Sequence, residues 1–314
     1  MQLKAAARPP MMLGMCIRIL LLCLAGGAGL AWADAPAPPA TPPTGDLRQR
    51  LADRLASPEG QLKLQTPRDR LRNPVDAARA RPKPPPPPPP KPWGYAGDVG
   101  PAHWGELQPE FRLCAIGTRQ SPIDIRDTLK VDQEPIAFDY KPSLFSVLDT
   151  GRTLLISPDA GNSLSVGQRR YELQAIETRM PAEIRLNGER FDMALHLLHR
   201  DAEGRLAMLV LLMQRGEQEH GVLQRFWAHL PLEKQLTERA SAPADLAQLL
   251  PASGAYFSFM GSLSTPPCTE GVLWLVMREP LIVSDQQLEV MRRLYPANAR
   301  PVQPAGGRVI KESF

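Results

Sequence analysis

The chain has 314 residues and a formal net charge of +4, but that charge is uneven. Residues 1–33 hold +3 and residues 34–92 hold +5, so residues 93–314 carry −4. The size admits two domains or one large β-rich domain, and the charge balance excludes a basic folded domain, because the basic character belongs to the N-terminal third.

Residues 1–33 read as an export signal. A start carrying Lys4, Arg8 and Arg18 precedes an apolar run from Ile19 to Leu30, and Ala31-Trp32-Ala33 forms a small-x-small cleavage site before Asp34. The run is short for a bilayer span; the alternative is an uncleaved anchor. The protein is therefore expected outside the inner membrane, periplasmic or extracellular, a compartment that argues against nucleic acid as a partner. Residues 34–92 read as a disordered Pro/Arg-rich arm with one short amphipathic stretch (Leu47, Leu51, Leu55) and a polyproline run from Pro84 to Pro90. Polyproline is an extended, semi-rigid spacer of roughly 20–30 Å at this length. Its arginines suit an anionic surface or an unidentified protein partner; the plainer reading is a solvated tether.

The folded part begins at Trp93. Once a signal is removed, Cys114 and Cys268 are the cysteines left, and two cysteines in an exported chain are most simply a disulfide. A redox role is the alternative, with no Cys-x-x-Cys pair to support it. Between Tyr171 and His199 two extended segments, roughly Leu173–Met180 and Arg190–His199, flank a Pro and Asn-Gly turn region. Side chains two apart on a strand share a face, so Glu177 and Arg179 point one way and His196 shares a face with Ala194 and Leu198. If the strands are neighbours, Glu177, Arg179 and His196 meet.

These residues carry a family resemblance. Trp93-Gly94-Tyr95, Gly100-Pro101-x-x-Trp104 and Gln120-Ser121-Pro122-Ile123-Asp124-Ile125 open the domain. Pro181, Glu183, Asn187-Gly188, His196 and His199 continue it. Gly261-Ser262-Leu263-Ser264-Thr265-Pro266-Pro267-Cys268-Thr269-Glu270-Gly271-Val272-x-Trp274, Asn298-Ala299-Arg300-Pro301-Val302-Gln303-Pro304 and Arg308 close it. In order and spacing the set resembles the α-class carbonic anhydrases across residues 93–314. The resemblance implies a mainly β, single domain around a large twisted, mostly antiparallel sheet with few short helices and a conical cleft. It also implies a Cys114–Cys268 disulfide.

In active members of that family three neutral histidines hold zinc, and the water in the fourth position has a pKa near 7. The hydroxide attacks carbon dioxide to give bicarbonate and a proton. Matched residue by residue, Glu177 and Arg179 stand where two of the histidines belong and His196 is the third, the remnant of the metal site. Glu183 and Ser264, followed by Thr265, match the groups that orient the hydroxide. The proton-exporting histidine is replaced by Arg152 in Thr150-Gly151-Arg152. The supports of the first and third ligands match Ala175 and Ala194. A guanidinium cannot ligate a metal, and its fixed charge repels a dication by roughly 4 kcal/mol per unit-charge pair at 4 Å and an effective dielectric of 20.

The leading expectation is a carbonic-anhydrase-like module that has lost zinc-dependent hydration, has no cofactor, and serves binding or scaffolding. In it Arg179 replaces the metal's charge and pairs with Glu177, either as a purely structural pair or binding a small anion with Ser264 and Thr265. The first alternative is an active zinc carbonate dehydratase. The second is an esterase in the same cleft, built on Ser264 and His196.

Overall fold

The computed structural model describes residues 92–314; the expected signal peptide and nearly all of the arm lie outside the described residues. The longest sheet has thirteen strands. Its central run is Phe145–Asp149, Leu154–Pro158, Arg169–Arg179, Met193–Arg200, Leu206–Gly216, Glu270–Met277 and Tyr256–Ser262, in that spatial order. Most pairings are antiparallel, and the sheet is mixed because Leu206–Gly216 runs parallel to Glu270–Met277. The composition of that central strand, Leu-Ala-Met-Leu-Val-Leu-Leu-Met, explains its place. It has no polar alternation, and it is buried on both faces from Ala207 to Met213.

The two sides of the sheet hold different cores. Ile176, Leu195 and Leu197 point into the larger cluster, which Phe226 of the helix Gly221–Trp227 and Leu288 and Met291 of the helix Asp285–Leu294 cover. Ala194, Val210, Phe257 and Trp274 point into the smaller one. The Asp285–Leu294 helix starts at a capping box, with the Ser284 hydroxyl accepting from Gln287 N and the Gln287 side chain returning to Ser284 N. The Cys114–Cys268 disulfide forms as expected and closes a loop with a sequence separation of 154, worth about 5 kcal/mol in the chain-entropy picture.

The expected strand pair is present with different limits. Its first member runs Arg169–Arg179 and its second Met193–Arg200. The turn region between them folds into its own hairpin, Arg185–Leu186 against Glu189–Arg190. Asn187 and Gly188 hold φ of 51° and 87° at its tip, the left-handed conformations a two-residue hairpin requires. In the main pair His196 lies opposite Glu177 and Ala194 opposite Arg179.

Candidate functional site

Register brings Glu177, Arg179 and His196 to one face, and Glu183 joins them from the chain just beyond the first strand. The Arg179 guanidinium is buried and pairs with Glu177. Its Nη1 donates to the Thr178 carbonyl at 3.0 Å, and its Nε lies 3.5 Å from Glu183 Oε1. That oxygen accepts the Arg300 backbone N–H at 2.7 Å. Glu183 Oε2 lies 3.8 Å from His196 Nδ1, and the imidazole sits edge-on against Trp274 with ring centroids 5.5 Å apart.

The electrostatics follow from burial and one fixed charge. Burial pulls the Arg179 guanidinium down, but Tyr95, Glu177 and Glu183 together carry it above its ordinary value. Burial raises the Glu183 carboxyl, against the opposing pull of Arg179, the Arg300 amide and the Ser264 hydroxyl. His196 is held well below the usual imidazole range, first by burial and then by Arg179, so it is neutral. Burial also raises the Tyr95 phenol, whose hydroxyl feels Arg179, Glu183, Glu177 and Arg152.

Among the described residues, six buried side-chain polar atoms have no hydrogen-bond partner within the protein. Five of them belong to this cluster: Tyr95 Oη, Arg179 Nε, Glu183 Oε2 and both nitrogens of His196. Such atoms are rare and call for an explanation where they gather.

The matched residues divide in three. Glu177, Arg179, Glu183 and His196 come together, and the buried Ser264 reaches Glu183. Thr265 contributes its backbone, with its carbonyl accepting Cys268 N at 2.8 Å. For the esterase expectation, the Ser264 hydroxyl engages Glu183, and both His196 nitrogens lack a protein partner, so Ser264 and His196 share no hydrogen bond in this structure. Arg152 stands with its guanidinium 4.4 Å from the Trp93 ring centroid, a cation–π contact. His199 faces away, as its odd spacing from His196 requires, and stacks on Tyr140.

Tyr95 and Asn298 are site residues that local sequence does not reveal. Tyr95 arrives from 84 positions before Arg179; its motif was the available signal. Asn298 bonds both to the first strand and to its end, donating to the Thr178 carbonyl at 3.1 Å and accepting from Met180 N at 2.7 Å.

A zinc ion does not fit the residues at this centre. One donor position is a guanidinium engaged by a carboxylate, and no group of three or more His, Cys, Asp or Glu side chains among the described residues is arranged to hold a metal.

The Eukaryotic-type carbonic anhydrase family model matches residues 99–314. A carbonic anhydrase of Nostoc sp. is 37% identical over 228 residues, covering 71% of this chain and 86% of that protein. One of Neisseria gonorrhoeae is 37% identical over 222 residues, covering 70% and 87%. Among solved structures, a hyperthermostable carbonic anhydrase from a hydrothermal vent chimney superposes with a TM-score of 0.68 at 34% identity, covering 71% of this chain and all of that one. Dioscorin complexed with ascorbate superposes at 0.66 and 29% identity, covering 71% and 98%. The sheet, the disulfide and the clustered residues thus sit in a chain that belongs to the eukaryotic-type carbonic anhydrase family.

Proposed function

We propose that this is an exported binding module on the carbonic anhydrase fold, in which Arg179 takes the place of the zinc charge and the cleft holds a small monoanion without converting it. The gathering of five partnerless buried atoms around one fixed cation supports this reading. The charge count agrees. Arg179 and Arg152 oppose Glu177 and Glu183, and His196 is neutral. With Glu183 ionised these groups sum to zero, and with Glu183 protonated, the form burial favours, to +1. A monoanion of bicarbonate size, with hydrogen-bond donor and acceptor groups, matches both the charge and the partnerless buried atoms. The dioscorin neighbour, complexed with ascorbate, is a member of the fold holding an organic acid.

A second reading keeps the hydration of carbon dioxide. The names of the relatives favour it over the first, since they are called carbonic anhydrases at up to 37% identity. The retained Glu183 and Ser264 favour it as well.

One preparation separates the two. Zinc in the purified chain is measured by elemental analysis, carbon dioxide hydration by stopped flow, and bicarbonate binding by titration. The first reading expects near-zero zinc, no rate above buffer, and saturable bicarbonate binding that Arg179→Met weakens at least tenfold. One zinc per chain with measurable hydration would establish the second and remove the first.

A further inference from the structure

Outside the cleft, the hairpin at Asn187-Gly188 carries an unusual charge arrangement. Arg185 and Arg190 lie directly opposite each other in its register, and like charges in that position destabilise a strand pair. Neither guanidinium has an ion pair or hydrogen bond among the described residues. The carboxylate next in register to Arg185, Asp124, is already committed: its Oδ2 accepts from Arg126 Nε at 2.7 Å and its Oδ1 from Gly188 N at 2.9 Å. Asp124, Arg126, Arg185 and Arg190 therefore leave two unbalanced positive charges on a domain that is acidic as a whole.

Both arginines line one cavity of about 260 Å³, shared with Pro181, Glu183, Arg300 and Pro301. Glu183 and Arg300 belong to its buried wall, and the Arg300 guanidinium spends its hydrogen bonds on neutral oxygens of Gln120, Ser121 and Cys114. Arg185 and Arg190 thus bring two guanidinium groups without a protein partner to the cavity, while the Glu183 carboxylate is turned to Arg179 and the Arg300 backbone N–H. The remaining walls are prolines, alanines and a valine. Low-dielectric walls around charge of one sign concentrate the field on an anion, and planar guanidinium groups bind carboxylate and phosphate with paired hydrogen bonds.

We infer that Arg185 and Arg190 form a second anion site, distinct from the cleft, for an oxyanion-bearing small molecule whose carboxylate or phosphate bridges the two guanidinium groups and whose short apolar body lies against the proline wall. The site also accounts for the opposed arginines, since a bridging anion turns a repulsive pair into a shared contact.

The full chain is titrated with succinate and, separately, with inorganic phosphate at about 20 mM ionic strength, where screening is weak. Backbone amide shifts and thermal unfolding are followed. Saturable shifts of Asn187 and Gly188, and a melting temperature that climbs with ligand, are expected for at least one probe; which one responds tells carboxylate from phosphate. Arg190→Gln weakens binding at least tenfold and, in the absence of anion, raises the melting temperature by about a degree because one of the opposed charges is gone. Arg190→Gln leaves bicarbonate titration of the Arg179 cluster unchanged, so failure here and failure of the cleft reading are distinguishable. Absence of saturable shifts with either probe, or an Arg190→Gln chain that binds like the parent, overturns the inference.

Discussion

The wall of the cleft and its centre are built on different physics. Along the wall, polar groups are satisfied: Ser121 N donates to Ser262 Oγ at 2.9 Å, Trp274 Nε1 to the Ser262 carbonyl at 2.9 Å, and Gln120 Nε2 to the Cys268 carbonyl at 3.1 Å and the Glu270 carboxylate at 3.0 Å. Gly261 is required there, because a Cβ would fall 2.2 Å from Ser121 Oγ. The disulfide ties the same region down. At the centre the groups are charged, buried and only partly satisfied. Arg300 is the link between the two, with its backbone N–H on Glu183 and its guanidinium on Gln120 and Ser121.

The largest test of that contrast rebuilds the centre. Glu177→His with Arg179→His, joined to the existing His196, restores a three-histidine face on two strands already in register. The expected outcome is about one zinc per chain by elemental analysis, against near zero in the parent. Adding Ala175→Gln and Ala194→Glu tightens the metal roughly 10–100-fold. A folded variant that takes up no zinc would show that the wall has diverged along with the centre.

The next test leaves the scaffold alone and breaks the pair. Arg179→Ala strands Glu183, whose side chain is 0% exposed, beside Glu177, whose side chain is 30% exposed. Removing one partner of a buried pair costs about 3–5 kcal/mol, measured here by urea unfolding. Glu177→Gln costs only about 1 kcal/mol, since solvent screens the more exposed partner. Equal losses for the two substitutions would mean that Glu183, and with it the buried half of the cluster, adds nothing to the role of Arg179.

The fold was legible because it is written in residues with fixed steric or pairing demands. The Asn187-Gly188 turn, the cysteines and the alternating apolar faces of the central strands are of that kind. The meeting of Glu177, Arg179 and His196 was legible too, since a period of two and an antiparallel pairing settle it. Strand limits were not: the run through Arg169 and Arg170 is polar and exposed, and it extends as strand because Ser165 and Val166 offer it backbone partners. The place of Tyr95 was closed to sequence for the same reason, since it depends on contacts between distant segments, which no local pattern encodes.

The last comparison concerns the two strand histidines, whose opposite faces make them a matched pair. His199 Nδ1 donates to the Leu197 carbonyl at 2.9 Å, and its Nε2 accepts the Tyr140 hydroxyl at 2.7 Å, an arrangement that fits a neutral ring. Burial holds its pKa at about 4, and His196 is also depressed, by burial and by Arg179. In both, the unfolded chain binds protons more readily than the folded one. Their contribution is therefore complete above about pH 6.5 and is lost as pH falls toward 4. For His199 alone the fall is about 3 kcal/mol across that window. Glu183 works the other way, because its raised carboxyl is relieved by protonation. Unfolding followed from pH 7 to pH 4 should show stability declining, and His199→Gln should flatten the curve by about the His199 share. A His199→Gln curve that runs parallel to the parent would move the pH sensitivity to the cleft face, to His196 and the charges around Arg179.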